Sequence, residues 1–196
     1  MDTDQTIRVA SSRTVGFADY GSSRDTAVIW CHGGPGSRLA PAYMAGAAVA
    51  AGLRLVGIDR PGYGLSTPEP GLDGSKILES AQGPPLPPSN LAMIASHPWG
   101  RHWMAAVPAM FAQGLAGATD DHLADGPGWV TFDVADITSP VIVLHCARDV
   151  ICDPIHARHT AAIVPNAELR IIDDLGHLSI EDHIVPTITD ILARDT

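Results

Sequence analysis

The chain has 196 residues, a formal net charge of −10, and 45% hydrophobic against 17% charged residues. This balance fits a globular domain and excludes a disordered chain. So acidic a surface repels phosphate backbones, and we expect no nucleic-acid partner. The acidic N-terminus lacks a secretion signal, and the most apolar stretch, 39–58, is interrupted by proline, glycine and arginine. We therefore expect no membrane span, a cytoplasmic location and reduced cysteines.

The first third of the chain alternates strand-like and helix-like patterns. The predicted elements are strands at 6–9, 14–18, 27–31 and 53–58 and a helix over 42–51. A continuous apolar run such as 27–31 is typical of a strand buried on both faces of a parallel sheet. Gly52 stands at the position where helices commonly stop. The order of strand, helix and strand predicts a βαβ unit.

The middle of the chain differs in composition from both ends. Residues 67–90 are rich in proline and glycine and predict a linker or an irregular loop. The following stretch, 91–123, is helical in composition, and we expect Pro98 and Pro108 to divide it. The α/β pattern resumes with strands at 141–145 and 168–172 and helices at 153–163 and 184–193. The predicted divisions are an N-terminal core part, 1–68, a linker with a helical lid-like segment, 69–128, and a C-terminal core part, 129–196.

Four local patterns follow predicted strands, at the edge where open α/β sheets place their sites. They are the loop His32-Gly33-Gly34-Pro35-Gly36-Ser37, the segment Gly57-Ile58-Asp59-Arg60-Pro61-Gly62-Tyr63-Gly64-Leu65-Ser66, the single Asp149, and His177 in Leu175-Gly176-His177-Leu178-Ser179. Glycines after a strand let the backbone turn its N–H groups toward a developing oxyanion. The set indicates a site for carbonyl chemistry.

In this order the four patterns resemble the α/β-hydrolase family, in particular its esterase, peptidase and C–C-bond hydrolase branches with an HGGPGS loop. The likeness covers roughly residues 14–68 and 129–185. It implies a mostly parallel sheet with helices on both faces and a small helical lid. It also implies an ester, amide or similar carbonyl group of a modest-sized apolar molecule as substrate, with no cofactor and no metal.

The resemblance also assigns roles to four residues. Asp149 precedes His177 by 28 residues, as the family's acid precedes its histidine by one helix and one strand. Asp149 would orient the imidazole of His177, and His177 would be the general base. Gly34, together with Gly33, would supply the N–H groups of the oxyanion hole.

The nucleophile that this resemblance requires is missing from the sequence. The family carries it in a G-x-S-x-G turn, and the nearest match, at 64–68, has Pro68 in place of the last glycine. About 90 residues separate Asp59 from Asp149, and a βα unit needs ~30 or more. Since the lid-like helices occupy a third of this interval, we predict that the nucleophile strand, its helix and the next strand are absent, with the junction within 70–90.

The missing strands would normally lie between the strands 27–31 and 141–145. Neighbouring strands are ~4.8 Å apart, so the loss of two draws the halves together by ~10 Å or leaves an open edge. We predict that the strands 27–31 and 141–145 pair directly or that the two halves pack poorly. An exposed edge would favour a homodimer.

These residues also have simpler interpretations than the hydrolase one. The glycine loop would also suit a nucleotide-binding turn, but the chain has neither G-x-G-x-x-G nor a Walker lysine. His156 and His159 lie three apart on a predicted helix without a third metal ligand, and we expect them to be solvated. Two classes of function stay open: a serine-hydrolase-type enzyme, and a non-catalytic remnant or binding pseudoenzyme. The sequence indicates descent from a serine hydrolase. The missing nucleophile favours a non-catalytic protein as its present state.

Overall fold

The computed structural model describes residues 1–9, 12–68, 88–124 and 133–194. Strands β1 to β6 are Asp2–Arg8, Thr14–Tyr20, Thr26–Cys31, Leu53–Ile58, Val141–Cys146 and Ala167–Ile172. Helices α1 to α6 are Ala45–Ala50, Pro88–Ser96, Pro98–Met110, Ala116–Ala124, Pro154–Ile163 and Ile184–Leu192. Short 3-10 helices span Ala40–Met44, Val134–Asp136 and His177–His183. The chain forms two compact units: a first unit of Met1–Pro84 with Pro98–Trp129, and a second unit of Pro85–His97 with Val130–Thr196.

The first unit contains a four-stranded mixed sheet in the order β1-β2-β4-β3. The β1/β2 and β2/β4 pairs are antiparallel, whereas β3 and β4 are parallel. Helix α1 connects β3 to β4, and its small residues Ala45 and Ala48 are buried. Leu53 and Leu55 of β4 are also buried. Small side chains let the helix backbone approach the sheet closely, so this βαβ unit has the compactness that the sequence predicts.

The second unit is built on the parallel pair β5/β6, whose register runs from Val141 opposite Ala167 to Cys146 opposite Ile172. Helix α5 connects these strands. Its cap is local, because the carboxylate of Asp153 accepts the N–H of Ile155 at 2.9 Å and Pro154 occupies the first turn. The predicted strand–helix–strand order is therefore present in both units.

The predicted single, mostly parallel sheet is corrected by the structure. The described strands form two sheets, and the larger has two antiparallel pairs and one parallel pair. Within the units, β3 bonds to β4 and β5 to β6, and the direct pairing of strands 27–31 and 141–145, which lie in different units, stays a prediction. Helix α1 connects β3 to β4 and helix α5 connects β5 to β6, so each parallel pair is formed within one βαβ unit. Poor packing of the halves stays a prediction.

Helix boundaries follow the sequence with two differences. The predicted helix over 42–51 begins as a 3-10 turn at Ala40 and becomes α-helical at Ala45. Pro98 begins α3 as expected, but Pro108 lies inside that helix and does not divide it. Because α3 ends at Met110, Pro108 disturbs only the last turn. Of the predicted loop 67–90, residues 69–87 lie outside the described residues, and Pro88 already begins α2. None of the described helices is long and apolar enough to cross a membrane.

Candidate active site

Asp149 lies in the turn that follows β5 and is only 7% exposed. Its Oδ1 atom accepts the backbone N–H groups of Ile151 and Cys152, both at 2.9 Å. Its Oδ2 atom accepts a hydrogen bond from Nδ1 of His177 at 2.8 Å. The backbone N–H of Arg148 donates to the carbonyl of Leu175 at 3.0 Å and ties together the two loops that carry the pair. Both oxygens of the carboxylate are thus used, and its orientation is fixed.

His177 begins the 3-10 helix after β6, and its side chain is 34% exposed. Because a carboxylate can only accept, Nδ1 carries the proton and the lone pair of the neutral ring is on Nε2. Within the part of the chain that the structure describes, no group hydrogen-bonds Nε2 of His177. A partly exposed imidazole oriented by a buried carboxylate has the geometry of a general base.

The electrostatics of Asp149 favour its charged form. Burial alone would raise the pKa of this carboxyl, but hydrogen bonds from the Cys152 N–H, the His177 ring and the Ile151 N–H outweigh burial and hold the pKa below its ordinary value. The carboxylate therefore stays ionised at neutral pH and can stabilise a protonated His177.

A second histidine, which the sequence analysis did not single out, lies beside this pair. His145, the fifth residue of β5, has its Nε2 atom 2.9 Å from the carbonyl oxygen of Cys152 and 3.5 Å from Oδ2 of Asp149. The only sequence signal was its position four residues before Asp149, at a strand end. The adjacent Cys146 is buried, and burial followed by the negative charge of Asp149 raises the pKa of its thiol. Cys146 is thus a neutral, packed side chain and no nucleophile.

The predicted oxyanion loop follows β3 and has a buried histidine at its base. Nδ1 of His32 donates to the carbonyl of Gly33 at 2.7 Å, and Nε2 accepts the N–H of Arg60 at 3.1 Å. Burial lowers the pKa of His32 despite the bond to Gly33, so the ring is neutral. A Cβ at Gly36 would lie 2.6 Å from Nδ1 of His32, which explains the glycine there. The loop therefore packs closely around the imidazole of His32.

Asp59, which follows β4, anchors the end of this loop by binding Arg38. Its Oδ1 accepts the backbone N–H of Arg38 at 2.7 Å, and its Oδ2 accepts the Arg38 guanidinium at 3.0 Å and the N–H of Leu65 at 2.9 Å. The guanidinium also bonds the carbonyl of Thr3 at 2.6 Å and pairs with Asp4. Asp59 thus joins the segments after β3 and β4 through a buried ion pair.

Ser66, in the sequence's nearest approximation to a nucleophile turn, has both functions of its hydroxyl occupied. It donates to the carbonyl of Asp59 at 2.6 Å and accepts the N–H of Gly16 at 2.9 Å, and the residue is 2% exposed. Ser96 lies in helix α2 and donates to the carbonyl of Ala92 at 2.7 Å, while Ser80 lies outside the described residues. These contacts favour a structural role for Ser66.

Gly33 and Gly34, the predicted oxyanion donors, differ in their surroundings. No hydrogen bond of either N–H is found among the described residues. A Cβ at Gly33 would meet no described atom within 4 Å, whereas one at Gly34 would lie 2.6 Å from Oδ2 of Asp121. Asp121 belongs to helix α4 and accepts the hydroxyl of Tyr63 at 2.8 Å and the guanidinium of Arg60 at 2.5 Å. A carboxylate beside Gly34 opposes negative charge developing there.

The structure thus brings Asp149 and His177 into contact in the second unit, while Gly33 and Gly34 belong to the first. Among the residues described, no three His, Cys, Asp or Glu side chains form a group able to hold a metal ion. His156 and His159 are exposed on helix α5.

No protein-family profile and no curated protein sequence matches this chain. Solved structures do match it in fold. An α/β-hydrolase-fold protein from Nakamurella multipartita is 18% identical with a TM-score of 0.68, and the match covers 96% of this chain and 98% of the other. An esterase from Exiguobacterium antarcticum is 17% identical with a TM-score of 0.61 and coverages of 99% and 98%. An esterase from Rhodococcus is 12% identical with a TM-score of 0.66 and coverages of 97% and 98%. The chain therefore has the α/β-hydrolase fold.

Proposed function

We propose that this protein derives from Ser-His-Asp hydrolases of esters, amides or similar carbonyl compounds, and that it keeps the acid–base pair Asp149–His177 without the serine. The observation that carries the proposal is the 2.8 Å bond between Oδ2 of Asp149 and Nδ1 of His177, which leaves Nε2 as the basic atom. The fold shared with esterases supports the ancestry.

Without a serine, the pair has one reaction available. Nε2 of His177 takes a proton from water, the hydroxide adds to the carbonyl carbon, and the proton passes to the leaving alcohol or amine as the carbon–heteroatom bond breaks. Loss of a triad member reduces turnover by orders of magnitude. We therefore expect hydrolysis of activated esters that is slow and has no burst phase.

The experiment combines fluorophosphonate labelling with hydrolysis of p-nitrophenyl esters of short acyl chains. The expected result is no stoichiometric labelling, together with slow hydrolysis that is lost in His177→Ala and Asp149→Asn. His156→Ala is the matched control, because it removes an exposed imidazole on α5 that is not part of the pair. Stoichiometric labelling of any serine would overturn the proposal.

A second function, that of a binding protein without catalysis, is favoured by Asp121. Its carboxylate lies against Gly34, where catalysis would need a site for an anion. In that case the unmodified protein and the His177→Ala variant would both hydrolyse the esters no faster than buffer alone. The coding DNA supplies an independent check: roughly 80 additional codons near residue 70 would indicate a longer, serine-bearing form.

A further inference from the structure

His145 lies beside the Asp149–His177 pair. It lies at the end of β5, four residues before Asp149, and its side chain is 16% exposed. Carbonyl oxygens accept hydrogen bonds, so the 2.9 Å contact with the Cys152 carbonyl places a proton on Nε2 of His145. The same N–H lies 3.5 Å from Oδ2 of Asp149.

Cys152 connects the two side chains through its backbone. Its N–H donates to Oδ1 of Asp149 at 2.9 Å, and its carbonyl accepts from His145 at 2.9 Å. The backbone of Cys152 is therefore bonded to the carboxylate through its N–H and to the imidazole through its carbonyl.

Oδ2 of Asp149 has two imidazole neighbours. Nδ1 of His177 lies at 2.8 Å and Nε2 of His145 at 3.5 Å. The nearest guanidinium in the sequence, that of Arg148, instead pairs with Asp174, and both of these side chains are about 70% exposed. The second N–H near Oδ2 thus comes from His145.

We propose that His145 is a positioning residue for the Asp149–His177 pair: by bonding the Cys152 carbonyl beside Oδ2, its Nε2–H keeps the carboxylate turned toward Nδ1 of His177. This inference rests on the proposed function for its catalytic meaning. The orientation of the Asp149 carboxylate does not depend on turnover, so the positioning role can be tested even in a protein without activity.

The test is NMR of the whole chain labelled with 15N-histidine, observing the low-field Nδ1 proton of His177. Four variants are compared: His145→Ala and His145→Phe remove the N–H, His145→Gln keeps an N–H near the Nε2 position, and His156→Ala is the surface control. We expect exchange of this proton with water to be roughly tenfold faster in the Ala and Phe variants, the equivalent of one hydrogen bond. The Gln variant and the control should match the unmodified protein.

Two results would overturn the proposal. One is an unchanged exchange rate in both the Ala and Phe variants, which would show that Asp149 needs no second imidazole. The other is an equal loss in the Gln variant, which would show that ring shape and not the N–H matters. Amide spectra of β6 confirm folding in each variant, and the Phe variant keeps the ring volume if Ala does not fold. Fluorophosphonate labelling decides the proposed function separately.

Discussion

The Asp149–His177 pair and the glycine loop differ in how their surroundings support the roles predicted for them. In the second unit, Asp149 and His177 form a base oriented by an acid, and each Asp149 oxygen has its donors within 3 Å. In the first unit, the Gly33 and Gly34 N–H groups lie on a well-anchored loop, but a carboxylate occupies the space beside Gly34. The acid–base pair is built from hydrogen bonds within two short loops. The predicted oxyanion loop, by contrast, can bind an anion only if its neighbours leave room for one.

The largest expected effect concerns the anchor of the loop. Asp59→Ala leaves the Arg38 guanidinium buried without its main partner, and breaking such a pair costs about 3–5 kcal/mol of unfolding free energy. Asp4→Asn, which removes the exposed partner of the same arginine, should cost under about 1 kcal/mol. Urea unfolding followed by tryptophan fluorescence measures both, because the tryptophans among the described residues, Trp30, Trp99 and Trp103, lie in the first unit. Equal effects of the two changes would contradict the anchoring role of Asp59.

An intermediate effect is expected at Gly34. Gly34→Ala places a Cβ 2.6 Å from Oδ2 of Asp121, so the carboxylate or helix α4 must shift, at about 1–3 kcal/mol. Gly33→Ala is the matched control, since its Cβ meets no described atom and should change stability by less than about 0.5 kcal/mol.

The same contact can be isolated by a double-mutant cycle. Asp121→Ala combined with Gly34→Ala should recover part of the loss caused by Gly34→Ala alone, because the clashing oxygen is gone. Strict additivity of the two changes in urea unfolding would mean that Asp121 does not cover Gly34.

The smallest effect concerns Asp149 and depends on pH. Asp149→Asn keeps an oxygen for the N–H groups of Ile151 and Cys152 but removes the charge beside His177. The folded-state pKa of Asp149 is lowered, so its stabilising contribution is present above the unfolded value of about 3.9 and is lost as the pH falls through the folded value. We expect a difference of about 1–2 kcal/mol at pH 6 that disappears in acid. Urea unfolding read at the NMR signals of β6 measures it, and a difference constant down to pH 2 would be inconsistent with the lowered pKa.

The βαβ units were accessible from the sequence because their signals are local. The apolar run at 27–31, the small residues before Gly52 and the Asp153-Pro154 cap each act within a few residues, and the predicted elements match the observed ones closely. The division into two sheets was not accessible, since pairing between strands far apart in sequence depends on which strands remain between them. Pro108 was misjudged for a related reason: its effect depends on where α3 ends.

The sequence by itself determined the α/β-hydrolase fold, the order of its patterns and the acid–histidine pair, because strand ends in such folds bring loop residues to one edge. Only the tertiary structure decided how those residues are supported. His145 reaches Asp149 through the turn after β5, and Asp121 comes to Gly34 from a helix 87 positions further along the chain. The contact of Asp121 with Gly34 depends on packing between elements far apart in the chain, and no spacing in the sequence encodes it.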